Sequence, residues 1–100
     1  PYWAARRGDR APWLEIDLGK AKTFDEVLLV ETFTRIRRFR LLYRDGNRWR
    51  TFHEGTTMGI LSLKCRPITA RRVRIEIRET AGDPPAITTF KLFGPDASKG

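Results

Sequence analysis

Cysteine and histidine each occur only once in these 100 residues, as Cys65 and His53. A lone cysteine forms no intrachain disulfide and supports no zinc cluster. Cys65 closes the apolar stretch Ile60-Leu61-Ser62-Leu63-Lys64-Cys65 and reads as a small core or flank residue, not a reactive thiol. Any Ser-His-Asp or Cys-His arrangement would have to use His53. No nucleophile elbow accompanies it in Trp49-Arg50-Thr51-Phe52-His53-Glu54, so it reads as a surface or edge residue. No apolar run approaches the roughly 20 residues that a membrane helix needs. The first seven residues, Pro1-Tyr2-Trp3-Ala4-Ala5-Arg6-Arg7, have no long apolar region and do not read as a signal peptide. Internal repeats and low-complexity segments are absent. Gly55-Thr56-Thr57-Met58-Gly59 lacks the lysine and the strand-to-helix setting of a phosphate loop and reads as a tight inter-strand connection.

What remains is a one-domain chain with 40% hydrophobic residues, enough for one modest core. Its dominant signal is a period of two. Leu14, Ile16 and Leu18 alternate with Glu15 and Asp17; Phe39, Leu41 and Tyr43 with Arg38, Arg40 and Arg44; Val73, Ile75 and Ile77 with Arg72, Arg74, Glu76 and Arg78. Each segment has one greasy and one charged side, as half-buried antiparallel strands do. The spacing predicts strands near 13–18, 25–32, 36–44, 47–53, 59–65, 71–79 and 87–93. Turn signals separate them at Gly19-Lys20-Ala21-Lys22, Asp45-Gly46-Asn47, Glu54-Gly55-Thr56-Thr57, Arg66-Pro67 and Gly82-Asp83-Pro84-Pro85. Asp-Gly between alternating segments predicts a hairpin. Pro84 and Pro85 lack ladder N–H groups and belong in a loop. Seven short strands predict an all-β antiparallel sandwich or jelly roll, and Pro95–Gly100 reads as a frayed polar tail.

The formal charge is +8, which raises acidic glycans, anionic membranes or nucleic acid as partners. The arginines are spread among the strands instead of forming one run, as on solvated sheet faces. Glu15 and Asp17 project from one strand face and are expected to pair with arginines across the sheet; they are not read as a catalytic carboxylate pair. Asp9, Asp83 and Asp96 are loop acids whose spacing matches no EF-hand. Trp13 and Trp49 sit inside strand patterns and read as core, and Trp3 has a core reading as well. Binding candidates are aromatic and arginine residues near strand ends: Trp3, Arg6 and Arg10 in the first segment, and Phe33, Thr34 and Arg35 where the chain turns. A ring can cover the apolar face of a sugar while arginine donates to hydroxyls or carboxylates, and such sites favour loop tips.

Trp13-Leu14-Glu15-Ile16-Asp17-Leu18-Gly19-Lys20, preceded by Tyr2-Trp3-Ala4-Ala5 and followed by Thr23 to Glu31, resembles the early strands of discoidin-like, or coagulation factor 5/8 type C, domains. Asp45-Gly46-Asn47-Arg48-Trp49, Pro67 to Ile75 and Ala86 to Gly94 continue the likeness. Gly55 to Gly59 and Thr69-Ala70-Arg71-Arg72-Val73-Arg74 look most like the C-terminal sandwich of glycoside hydrolase family 29 α-L-fucosidases. The resemblance implies a galactose-binding-like jelly roll over residues 1–94. It implies an accessory module, without catalytic residues of its own, that binds or positions fucosylated or galactosylated glycan and packs on the catalytic barrel of a parent fucosidase, in a periplasmic or extracellular setting. On it, the ligand-binding set is Trp3, Arg6, Arg10, Phe33, Thr34, Arg35 and Asp83.

Three departures qualify that implication. The family's N-terminal strand has no counterpart ahead of Tyr2, so the chain reads as a fragment or part of a larger protein. The segment Glu31 to Arg35 is shorter than in the fucosidases, which carry a glycine-glutamine pair before the arginine. Thr88-Thr89-Phe90-Lys91 replaces glutamates of which one can bind calcium, so neither calcium nor any other cofactor is expected. The competing reading is a basic module for anionic surfaces such as acidic glycan or phospholipid, with nucleic acid not favoured; purely structural packing is a third.

Overall fold

The computed structural model describes residues 3–4, 12–82 and 84–94, and all regular structure among them is strand. The strands are β1 (Trp3–Ala4), β2 (Trp13–Glu31), β3 (Ile36–Asp45), β4 (Arg48–Gly55), β5 (Ile60–Thr80) and β6 (Ala86–Phe93). They form one antiparallel hydrogen-bonded order, β1-β6-β2-β5-β3-β4. The expected strands are present, but four of them are fused in pairs. Segments 13–18 and 25–32 are one strand, β2, and 59–65 and 71–79 are one strand, β5. The expected turns at Gly19–Lys22 and Arg66–Pro67 therefore do not reverse the chain.

The reason is visible in the register. Asp17 pairs with Arg72 and Lys22 with Ala70, so residues 18–21 of β2 bulge opposite the single residue Arg71. This bulge and a second one, residues 65–67 of β5 opposite Asp25, turn the β2–β5 ribbon, as extra residues on one strand do. The halves then serve different layers. Residues 13–17 of β2 pair with 72–76 of β5, which also pairs with β3 and through it β4. Residues 26–31 of β2 lie between 60–64 of β5 and β6. The ring centroids of Phe24 (β2) and Phe52 (β4) are 5.7 Å apart in an edge-on contact. In a flat sheet the three intervening strand spacings would hold their strands about 14 Å apart; contact requires the sheet to fold over on itself. The sandwich is that fold.

Between the layers lies one core. Val27, Leu29, Ile36, Leu41, Val73 and Ile75 are fully buried, joined by Phe24, Phe39, Ile68, Ile77 and Ile87. Parity along the strands puts these side chains inside, as the alternation predicts. Met58, in the loop between β4 and β5, also drops into this cluster. In the β3–β4 hairpin Asp45 pairs with Arg48, leaving Gly46 and Asn47 as a two-residue loop. Gly46 has φ of 60° and Asn47 is not in the positive-φ region, the pattern of a type II′ turn, which demands glycine first.

Asp17 clasps the bulge. Its carboxylate accepts from Arg71 Nε at 2.8 Å and Nη2 at 3.1 Å, and from the Gly19 N–H at 2.8 Å. These hydrogen bonds, Arg71's first, lower its pKa from an ordinary 3.8 to about 2. A depressed folded value means that the carboxylate's contribution to stability is complete above the unfolded value and fades as pH falls through about 2. A carboxyl-carbon NMR titration is expected to place the Asp17 midpoint near 2, and Arg71→Gln to raise it towards 3.8; a midpoint indifferent to that substitution would show that the fork does not hold the charge.

Candidate functional site

Three connections meet at one end of the sandwich: Thr32–Arg35 between β2 and β3, Thr56–Gly59 between β4 and β5, and residues 81–85 between β5 and β6. Backbone bonds tie them together. The Glu31 N–H donates to Gly59 O at 2.8 Å, Thr32 N–H to Ala86 O at 2.9 Å, and Ala81 N–H to Arg35 O at 2.8 Å.

Glu31 organises the first connection. It follows Val27 and Leu29 on the inward side of β2 and is only 6% exposed. A carboxylate taken from water needs donors, and Oε2 accepts the N–H groups of Arg35 and Ile36, both at 2.8 Å. Oε1 is buried with no hydrogen-bond partner. The loop thus closes over a carboxylate at its base.

On that base stand three of the candidates. The Phe33 ring is 52% exposed, and the Arg35 guanidinium lies 4.3 Å from its centroid. Arg35 Nη1 donates to Pro84 O at 2.9 Å, which anchors the cation to the β5–β6 loop. The Thr34 carbonyl accepts from Arg37 Nη1 at 2.7 Å. Phe33, Thr34 and Arg35 are therefore brought together, with an aromatic surface left to solvent and its cation fixed in place. The backbone of Trp3 pairs with Ile87, next to Ala86 at the same end. Arg6, Arg10 and Asp83 lie outside the described residues, as do Asp9 and Asp96.

Two aromatic expectations are corrected. Trp13 is 53% exposed and Trp49 half-buried; neither belongs to the core cluster. Both lie on the outer face of the layer formed by β3, β4 and the C-terminal half of β5. Leu14 and Ile16 face inward, so parity sends Trp13 outward. The Arg74 guanidinium sits between the indoles, 4.3 Å from Trp13 and 4.2 Å from Trp49. Flanking acids complete this surface: Glu15 at 3.3 Å and Glu76 at 3.5 Å from Arg74. Glu15 and Asp17 do pair with arginines across the sheet, as expected. Leu42, between its cross-strand neighbours Thr51 and Arg74, is 3% exposed on this outer face.

His53 and Cys65 line an open cleft of about 480 Å³ between β4 and the N-terminal half of β5, with Phe52, Leu63 and Ile68 among its walls. No carboxylate lines it among the described residues. Cys65 packs against the core, and burial, assisted by the charge of Asp25 and opposed by Arg66, pushes its thiol pKa up. At neutral pH Cys65 is held as the thiol, the weaker nucleophile.

Residues 1–90 match the family model described as F5/8 type C domain. No curated protein matches the sequence. Among solved structures, SpGH29 is 31% identical with a TM-score of 0.83, the likeness covering 92% of this chain and 21% of that one. A GH29 fucosidase from Ruminococcus gnavus, solved with fucose, is 30% identical with a TM-score of 0.82, over 96% of this chain and 21% of that one. A chitosan-binding module from a chitosanase/glucanase of Paenibacillus sp. IK-5 shares the fold, with a TM-score of 0.83 at 23% identity over 93% and 76% of the two chains. This chain thus spans about a fifth of the length of the two GH29 proteins.

Sequence reasoning passed over Glu31, although the parity of Val27 and Leu29 marks its side as buried. Glu31→Ala would leave the Arg35 and Ile36 N–H groups without their acceptor and is expected to destabilise the domain by about 2–4 kcal/mol. Glu31→Gln, which keeps an acceptor oxygen, should cost less. Urea denaturation of both variants checks this, and equal losses would refute the assigned role.

Proposed function

Because this chain belongs to the F5/8 type C domain family, we propose that it is a non-catalytic accessory module that holds fucosylated or galactosylated glycan for a glycoside hydrolase. The observation that carries the reading is the half-exposed Phe33 ring, backed by an Arg35 guanidinium that is itself hydrogen-bonded to Pro84 O. A sugar ring could lay its C–H face on the aromatic surface while hydroxyls take the polar groups around it. Preordering matters because a weak ligand cannot repay much side-chain immobilisation. The likeness to GH29 proteins over almost all of this chain supports an α-L-fucosidase as the parent, with the sandwich packed on its catalytic barrel. In this reading residues 1–94 are the module and 95–100 a polar tail.

The fold shared with a chitosan-binding module is in keeping with a binding role. His53 and Cys65 add nothing against this, since their cleft brings no carboxylate to the imidazole among the described residues. No helix among the described residues is long and apolar enough to cross a membrane, and the proposal requires none.

An amide NMR titration with fucosylated and galactosylated oligosaccharides at millimolar concentration is expected to shift residues 32–35 and 84–86. Phe33→Ala should weaken that binding at least about tenfold without changing the circular dichroism spectrum. If no amide moves with any of these sugars, only a structural, barrel-packing role is left.

A further inference from the structure

Beside the loop end, on the outer face of the sandwich, strands β3, β4 and β5 enclose a second hollow of about 220 Å³, lined by Arg38, Arg40, Arg78, Glu54, Thr56 and the backbone around Gly55. Its volume is below the roughly 300–1,000 Å³ typical of drug-sized ligands and suits a single sugar ring.

The strand pairing beneath the hollow is close-packed on its core side. Phe39 and Gly55 are cross-strand partners, and a Cβ at Gly55 would come within 2.7 Å of the Phe39 ring. Phe39 is 2% exposed and belongs to the core, so glycine at position 55 makes room for its ring, while Arg38, Arg40 and Glu54, of opposite parity, stand on the outer side around the hollow.

Charge is unbalanced around it. Glu76 is shared by three guanidinium groups: Arg40 at 2.6 Å, Arg74 at 3.5 Å and Arg78 at 3.9 Å. One carboxylate can accept from all three but cannot neutralise three unit charges, and the longest of these contacts is to Arg78. Arg38 has no carboxylate within ion-pair distance and no hydrogen bond to its guanidinium among the described residues. Elsewhere on the same face the arginines are committed: Arg71 and Arg72 to Asp17, and Arg74 to Glu15 and two indoles. Arg38 and Arg78, less fully committed, line this hollow. Opposite them, the Glu54 carboxylate has no ion-pair partner among the described residues, and Thr56 offers a hydroxyl.

We infer that this hollow binds the oxyanion of an acidic sugar, a carboxylate or a sulfate, with Arg38 and Arg78 holding the anion and Glu54 and Thr56 reading ring hydroxyls. Guanidinium forks match such oxyanions in geometry as well as charge. The Glu54 carboxylate facing the arginines selects against a bare inorganic anion but accepts from hydroxyl donors, which fits a sugar better than free phosphate. The inference rests on the reading of this domain as a glycan module and adds a site apart from Phe33 and Arg35.

The test is an amide NMR titration of the full chain with three probes: tri-galacturonate, galactose 6-sulfate and neutral galactose. The acidic probes are expected to shift the amides of Arg38, Gly55 and Thr56, and the neutral sugar to leave them unmoved. Whichever acidic probe binds more tightly identifies the oxyanion. Arg38→Gln should weaken acidic-probe binding at least about tenfold, while Arg50→Gln, at an exposed arginine on the β3–β4 hairpin, should not. Both positions are exposed, so neither variant threatens the fold, and matching circular dichroism spectra confirm it. Equal shifts with galactose, or equal losses from the two variants, would overturn the inference. Shifts confined to residues 32–35 would also overturn it while leaving the proposed function standing. Silence from all three probes, together with silence from the fucosylated and galactosylated sugars, would remove both.

Discussion

The pairing of β2 with β5 is the constraint on which the rest of this molecule depends. These two strands stay hydrogen-bonded from Trp13 opposite Glu76 to Val30 opposite Ile60, through both layers of the sandwich. A continuous ribbon can serve two layers only if it bends, and it has two bulges where it can do so: residues 65–67 of β5 opposite Asp25, and residues 18–21 of β2 opposite Arg71. The Asp17–Arg71 fork spans the latter on the solvent side. On the inner side Phe24 reaches Phe52 across the core. An exposed ion pair adds little stability by itself; burying the inner residues supplies the driving force, and the fork fixes one of the two places where the ribbon turns.

Bending of the ribbon also decides what stands at each end. It brings the β2–β3, β4–β5 and β5–β6 connections together, so that Glu31, Arg35 and Pro84, far apart in the chain, share one small network. Burial of the Glu31 carboxylate is costly unless its donors are held in place. The loop N–H groups meet that demand, and the loop conformation that presents Phe33 follows from it. The candidate sugar platform is thus a consequence of where a charge was buried.

The outer faces follow a different logic. They carry more cations than anions, and two acids are shared: Glu15 between Arg72 and Arg74, Glu76 among Arg40, Arg74 and Arg78. Trp13 and Trp49 enclose Arg74 instead of entering the core. Such a surface shields Leu42 from water, and Arg38 has no carboxylate partner among the described residues. The +8 charge is therefore not a uniform coat; ion pairs neutralise part of it on this face.

Period-two alternation by itself determined the all-β class, the inward set of Leu41, Val73, Ile75 and Ile77, the hairpin at Gly46, and the pairing of Glu15 and Asp17 with arginines, because each depends on parity or on two adjacent residues. The order of motifs determined the family. Phe33, Thr34 and Arg35 were legible as a loop-tip group for the same local reason. Only the tertiary structure decided that seven segments are joined into fewer strands, since a bulge and a reversing turn use the same glycine-containing sequence and differ in what pairs across from them. It alone placed Trp13 and Trp49 outside, where a partner cation on another strand could hold them. It alone set Glu31 beneath the loop and brought Arg38, Glu54 and Arg78 around one hollow, because burial and vacancy are properties of neighbours distant in the chain.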